Sequence, residues 1–179
     1  MKMIKKTIPA LLLVLSLLAA LTGCGGGKTS GSEAKDGSGI SFQTTDLDGN
    51  AVDSAELFAK NKITMINIWG TYCGPCINEM PELEELSKEY ADKGVAVVGL
   101  VVDVTESDDS LLSEAQEIVR DTGVTYRNLK AWDGFKNQLS AVATPTTYFV
   151  DSSGSLVGDP VIGASVEKYR QSLDELTAE

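Results

Sequence analysis

The run Ile63 to Trp69, Ile-Thr-Met-Ile-Asn-Ile-Trp, is uncharged and rich in β-branched residues, the pattern of a buried strand. After it, Ile77, Met80, Leu83 and Leu86 fall on one helical face, with Glu82, Glu84, Glu85, Lys88 and Glu89 elsewhere. That spacing predicts an amphipathic helix over 74–90, which Pro81 is expected to kink. Val95–Val102 is almost purely apolar and reads as a central parallel strand covered on both faces. A helix at about 110–121 turns Leu111, Ala115, Ile118 and Val119 inward. Tyr126–Leu129 is expected as a short strand and Phe135–Leu139 as a short helix. Thr146–Val150 and Ser155–Val161 form a strand pair about the turn Ser152-Ser153-Gly154, and a last helix, 166–177, buries Val166, Tyr169, Leu173 and Leu176. Upstream, residues 41–53 suggest a hairpin around Asp48-Gly49, and Asp53-Ser-Ala-Glu56 resembles a capping box opening a brief helix through Phe58. Strands alternating with helices and ending in a hairpin give an α/β fold, a mixed central sheet flanked by helices.

The first forty residues follow different rules. Lys2, Lys5 and Lys6 precede an apolar stretch from Ile8 to Leu21, and Leu21-Thr22-Gly23-Cys24 follows. A basic start, a short apolar region and small residues at a cut site describe a secretory signal peptide over residues 1–23, with a retained signal anchor as the alternative. The apolar stretch is short for a membrane span. Leu-Thr-Gly-Cys resembles the lipobox of bacterial lipoproteins, which implies cleavage before Cys24, its acylation, and attachment to the membrane through that lipid. Residues 25–39, rich in Gly and Ser, read as a flexible tether reaching roughly 20 Å. The remainder, 40–179, is long enough for one domain with a single core. Without residues 1–23 the chain carries 12 basic and 26 acidic residues, a net charge of −14. Nucleic acid is therefore excluded as a partner, and electrostatic adhesion to an anionic membrane with it. The acids read as a solvated surface.

The strand and the amphipathic helix meet at Cys73-Gly-Pro-Cys76. Cys73 stands at the helix N-terminus, where unpaired N–H groups and the helix dipole stabilise a thiolate. Cys76 lies in the first turn, close enough to attack a mixed disulfide on Cys73. Cys73 is thus the nucleophile and Cys76 the resolving thiol, and no cofactor beyond this redox pair is needed. Gly74 keeps the approach to Cys73 open, and Pro75 offers no N–H of its own. With Cys24 assigned to the lipid, the three cysteines are accounted for.

Two separated motifs carry a resemblance: Asn67-Ile-Trp69-Gly-Thr-Tyr-Cys73-Gly-Pro-Cys76-Ile-Asn-Glu79-Met-Pro81-Glu-Leu83, and Ala143-Thr144-Pro145-Thr146-Thr147-Tyr-Phe-Val-Asp151. From about residue 40 the chain resembles an extracytoplasmic thioredoxin of the TlpA/ResA type, within the redoxin superfamily. The resemblance implies a thioredoxin fold with an N-terminal hairpin, and a central insertion that fits the long stretch between residues 94 and 130. It implies a cis Pro145 packed against the dithiol, with the Thr144 backbone free to pair with an extended substrate. Trp69 and Tyr72 are expected to pack around the dithiol, with substrate recognition a secondary role for either. An acid at the place of Glu79 tunes the dithiol and shuttles a proton in such relatives; the alternative is a surface glutamate on an acidic helix. Asn67 replaces the buried aspartate of cytoplasmic thioredoxins, which shifts that weight to Glu79.

Other classes fit less well. A zinc module needs about four ligands, and the chain has no histidine; no metal site is expected. The absence of His also argues against copper delivery. Thr71 stands one residue too close to Cys73 for a peroxidase of this superfamily, and no evident Arg partners it. The resemblance therefore implies a monomeric thiol–disulfide oxidoreductase acting on the disulfides of exported proteins, with electrons from a membrane thiol transporter of the CcdA type. Clients could be apocytochrome c, a secreted methionine sulfoxide reductase, or misoxidised proteins generally; net oxidation is the alternative direction.

Overall fold

In the computed structural model, which describes residues 39–178, the chain opens with an antiparallel hairpin, β1 (Gln43–Thr45) and β2 (Ala51–Asp53), and a short helix α1 (Ser54–Ala59). The expected signal segment, Cys24 and the tether through residue 38 lie outside the described residues. The hairpin turn is tied by the Asp46 carboxylate, which accepts from the N–H groups of Asp48 and Asn50 at 3.1 and 2.8 Å. Asp53 caps α1 by accepting from Ala55 N at 2.8 Å. The reciprocal half of the expected capping box is replaced by a pairing of Glu56 with Lys60 at 3.9 Å.

There follow β3 (Ile63–Trp69), α2 (Gly74–Tyr90), β4 (Val95–Thr105), α3 (Leu112–Asp121), β5 (Arg127–Ala131), α4 (Phe135–Gln138), β6 (Thr146–Asp151), β7 (Leu156–Ile162) and α5 (Val166–Thr177). The main sheet has the order β5-β4-β3-β6-β7. β3, β4 and β5 run parallel, and β6 and β7 are antiparallel to their neighbours. The long central stretch is thus spent on β4, α3 and β5, which add a parallel strand at one edge. β4 runs past its expected end at Val102 to Thr105, with a register irregularity between Val101 and Thr105. β5 starts and ends later than expected because its pairing with β4 begins at Arg127.

Alternation along β3 sorts the interior into two layers. Ile63, Met65 and Trp69 face a core with Met80, Leu83 and Leu86 of α2 and Tyr169 and Leu173 of α5. Ile66 and Ile68 face the other, with Phe42, Phe58, Trp132 and Phe135. There Phe42 stacks on Trp132 at 4.0 Å between ring centroids. α2 passes through Pro81 as one helix to Tyr90, so the expected kink does not break it. Met80 and Leu83, fully buried on either side of the proline, hold both halves to the sheet.

Candidate active site

β3 ends at Trp69, and a three-residue turn delivers Cys73 to the start of α2. Asp103 of β4 braces that turn: its carboxylate accepts from the Thr71 N–H at 2.9 Å and from the Thr71 hydroxyl at 2.7 Å. Cys73 N–H closes the turn onto the Gly70 carbonyl at 3.0 Å. Cys73 and Cys76 form a disulfide, with their Cα atoms 5.3 Å apart. Cys73 Sγ caps the helix by accepting from Cys76 N–H at 3.3 Å. The same N–H would stabilise a thiolate there. Cys73 is 5% exposed and Cys76 0%. Of the two cysteines, only Cys73 touches solvent.

Behind the disulfide, Glu79 is 4% exposed, which excludes the surface alternative. It lies one helical turn beyond Cys76 on the same face. Its carboxylate accepts from Asn67 Nδ2 at 3.0 Å and from the Tyr169 hydroxyl at 3.2 and 3.3 Å. Asn67 Nδ2 also donates to Thr147 Oγ1 at 3.0 Å. Burial pushes the Glu79 carboxyl above the usual range; the Asn67 and Tyr169 hydrogen bonds pull it back in part, and the nearby Glu82 adds to the rise. A depression of about 310 Å³ beside the start of α2 is lined by Pro75, Asn78, Glu79, Glu82 and Ser165. A buried acid whose proton affinity is raised can take up a thiol proton.

The Thr144–Pro145 peptide is cis, as the resemblance implied. β6 pairs with β3 through Thr146 opposite Ile68, so Thr144 and Pro145, just before β6, lie at the end of β3 that leads into the Cys73 turn. Among the described residues, the Thr144 backbone N–H and carbonyl have no hydrogen-bond partner. Gly74 and Pro75 are exposed, and a Cβ placed on Gly74 would meet nothing within 4 Å.

Two expectations need correction. Trp69 is fully buried and its indole N–H donates to Asn128 Oδ1 at 2.9 Å, so its side chain has no surface to offer a substrate. Tyr72 is 70% exposed and does not pack into the dithiol core; its ring lies over Gly70, where a Cβ would come within 2.6 Å of it.

Asp103, Asn128, Thr147 and Tyr169 escape a reading of the sequence as site residues. Each acts across a distance in the chain that no local pattern encodes, and Tyr169 reads there simply as one more apolar position of the last helix. Gly99 is the one local hint, a lone glycine in an apolar strand. A Cβ on it would lie 1.9 Å from Asn128 Oδ1 and 2.9 Å from Trp69 Nε1, so its bareness makes room for their hydrogen bond.

A thioredoxin-like sheet presenting a Cys-x-x-Cys disulfide at the head of a helix defines a thiol–disulfide oxidoreductase. The chain belongs to the Redoxin family, which matches residues 29–171. It is similar to the thiol-disulfide oxidoreductase ResA of Bacillus cereus (strain ZK / E33L), 30% identical over 133 residues that cover 71% of this chain and 69% of the relative. It is similar also to the thioredoxin-like protein YneN of Bacillus subtilis (strain 168), 33% identical over 117 residues, 65% of this chain and 66% of that one. These matches thus span about two thirds of each relative's length. Among solved structures, a thiol:disulfide interchange protein of the thioredoxin family from Chlorobium tepidum TLS superimposes with a TM-score of 0.65 at 23% identity, covering 82% of this chain and 99% of that one. A secreted Mycobacterium tuberculosis disulfide oxidoreductase gives 0.59 at 21% identity, covering 75% and 95%. Both likenesses concern the fold.

Proposed function

We propose that this oxidoreductase works outside the cytoplasm, tethered to the membrane through a lipid on Cys24, and reduces disulfides in exported proteins. The observation that carries the reductive cycle is the pairing of a slightly exposed Cys73 with an enclosed Cys76 above a buried acid. In the dithiol form, the Cys73 thiolate attacks a client disulfide held along Thr144 and Pro145. A mixed disulfide forms and the first client thiolate leaves. Cys76 then passes its proton to Glu79 and attacks Cys73 Sγ, which releases the second client thiolate and leaves Cys73–Cys76 oxidised. Two electrons have moved to the client. A membrane dithiol donor of the CcdA type returns them by the same exchange in reverse. Residue roles follow: Cys73 nucleophile, Cys76 resolving thiol, Glu79 proton acceptor, Gly74 and Pro75 the open margin over which the client approaches.

The test uses residues 25–179 with insulin as a disulfide client and dithiothreitol as electron source. Turnover is expected in the unaltered domain and none in Cys73→Ser, while Cys76→Ser accumulates mixed disulfides visible on non-reducing gels. Undiminished turnover in Cys73→Ser would sink the assignment.

A further inference from the structure

Tyr169 of α5 is fully buried, and its hydroxyl stands among three acceptor atoms. Two are the Glu79 oxygens, at 3.2 and 3.3 Å; the third is the Gly163 carbonyl oxygen, at 3.1 Å. A phenol has one proton, so it can serve only one side at a time. An ionised Glu79 draws the proton to itself, because a hydrogen bond to a charge is the stronger. A protonated Glu79 frees the phenol to donate to Gly163 and itself has a proton to give to the phenol oxygen. The second acceptor is held in place, since Gly163 N–H donates to the Pro145 carbonyl at 2.8 Å.

We propose that Tyr169 is a positioning residue of the dithiol site, its hydroxyl proton turning between Glu79 and the Gly163 carbonyl as Glu79 loses and gains the Cys76 proton. The proposal rests on the reading of Glu79 as that proton's acceptor. The balance is simple: one proton moves from Cys76 Sγ to Glu79, the phenol O–H rotates toward Gly163, and no proton leaves Tyr169. Burial, first of all, pushes the phenol up to about 12, so it remains a donor throughout the working range.

The surroundings leave Tyr169 as the adjustable member. Glu79 is faced by Glu82 from its own helix, by Asn67 from β3, and by Tyr126 from the segment before β5, whose phenol is itself raised by burial and by the Glu79 charge. Asn67 donates to Glu79 and Thr147 together, so its amide is committed, and among the described residues its buried Oδ1 has no partner. Only Tyr169 can withdraw its proton from Glu79 and still be satisfied.

The experiment uses the full chain in detergent. The Glu79 carboxyl carbon is followed by NMR across pH in the disulfide form, and thiolate absorbance in the dithiol form. Tyr169→Phe keeps the ring and deletes the donor, and should move the Glu79 midpoint up by about one pH unit, the worth of a hydrogen bond to a charged group. The pH profile of client reduction should move the same way. Fluorotyrosine at position 169 keeps the packing, makes the hydroxyl a better donor, and should move both down. A residue that merely fills space would move neither, so an unmoved midpoint in both variants overturns the proposal. Glu79→Gln separates the underlying reading. If it leaves thiolate titration and turnover unchanged, Glu79 is not the acceptor and the positioning role falls, whatever Tyr169 does to the Glu79 midpoint.

Discussion

Glu79 is a buried acid, and its burial carries a local cost. A carboxylate in this position has lost its water, and two hydrogen bonds replace only part of that hydration. Its folded midpoint lies above the unfolded one for that reason, burial being the largest cause. The sign for stability follows. Below the unfolded midpoint the residue is neutral in both states and costs nothing. As pH rises from there to the folded midpoint, the unfolded state releases the proton more readily and the folded state loses stability; above it the loss is complete. Glu79→Gln should therefore raise the urea midpoint of the disulfide form at neutral pH, with a gain that fades as pH falls toward about 4. The same substitution should lower the Cys73 thiol pKa, because the Glu79 charge opposes a thiolate, and should slow the step in which Cys76 loses its proton. Unfolding curves across pH, with thiolate titration beside them, check both. A variant less stable than the parent at pH 7 would show that the carboxylate is held more for structure than for chemistry.

At the scale of elements, β3, α2 and β4 were legible because each buries a whole face or both faces, and such burial writes a period of two or of 3.6 into the chain. The Cys73–Cys76 pair was legible because its chemistry is contained within one helical turn. The support of that pair was not. Asn67 meets Glu79 through helix-on-sheet packing, Glu79 meets Tyr169 across two helices, and Asp103 reaches Thr71 from a neighbouring strand. Trp69 and Tyr72 illustrate the same limit. Both are aromatic residues close to Cys73, yet one ends a central strand and points into a core, while the other sits on a turn that leaves its ring outside. Gly99 turns this tertiary wiring into a prediction. Gly99 of β4 pairs with Asn128 of β5, and the indole of Trp69 on β3 reaches Asn128 over it. Gly99→Ala puts a methyl where that bond lies. Overpacking of about 1–3 kcal/mol is expected, increased if the buried indole N–H loses its acceptor. Chemical unfolding and tryptophan fluorescence report it; a variant with the parent's midpoint and spectrum would mean that β5 yields easily at this edge.

For the molecule as a whole, the placement of the site and the character of the surface bear on where it works. Cys73, the residues that lead into β6 and the end of β3 lie together at one end of the two central strands. Elsewhere the chain is acidic, with a net charge of −11, and a polyanion is repelled by an anionic bilayer. No helix among the described residues is long and apolar enough to cross a membrane. On the proposed lipidation, attachment is expected through the Cys24 lipid, since the acidic surface offers no electrostatic adhesion to an anionic bilayer. Cys24→Ala tests this in one step. The full-length protein should label with a fatty-acid probe and sediment with membranes. The variant should take up no label, and should stay uncleaved or be shed into the medium. Equal labelling of both would refute the lipobox. An unlabelled variant still held in the membrane in its uncleaved form would show that residues 1–23 anchor the chain when the lipid cannot.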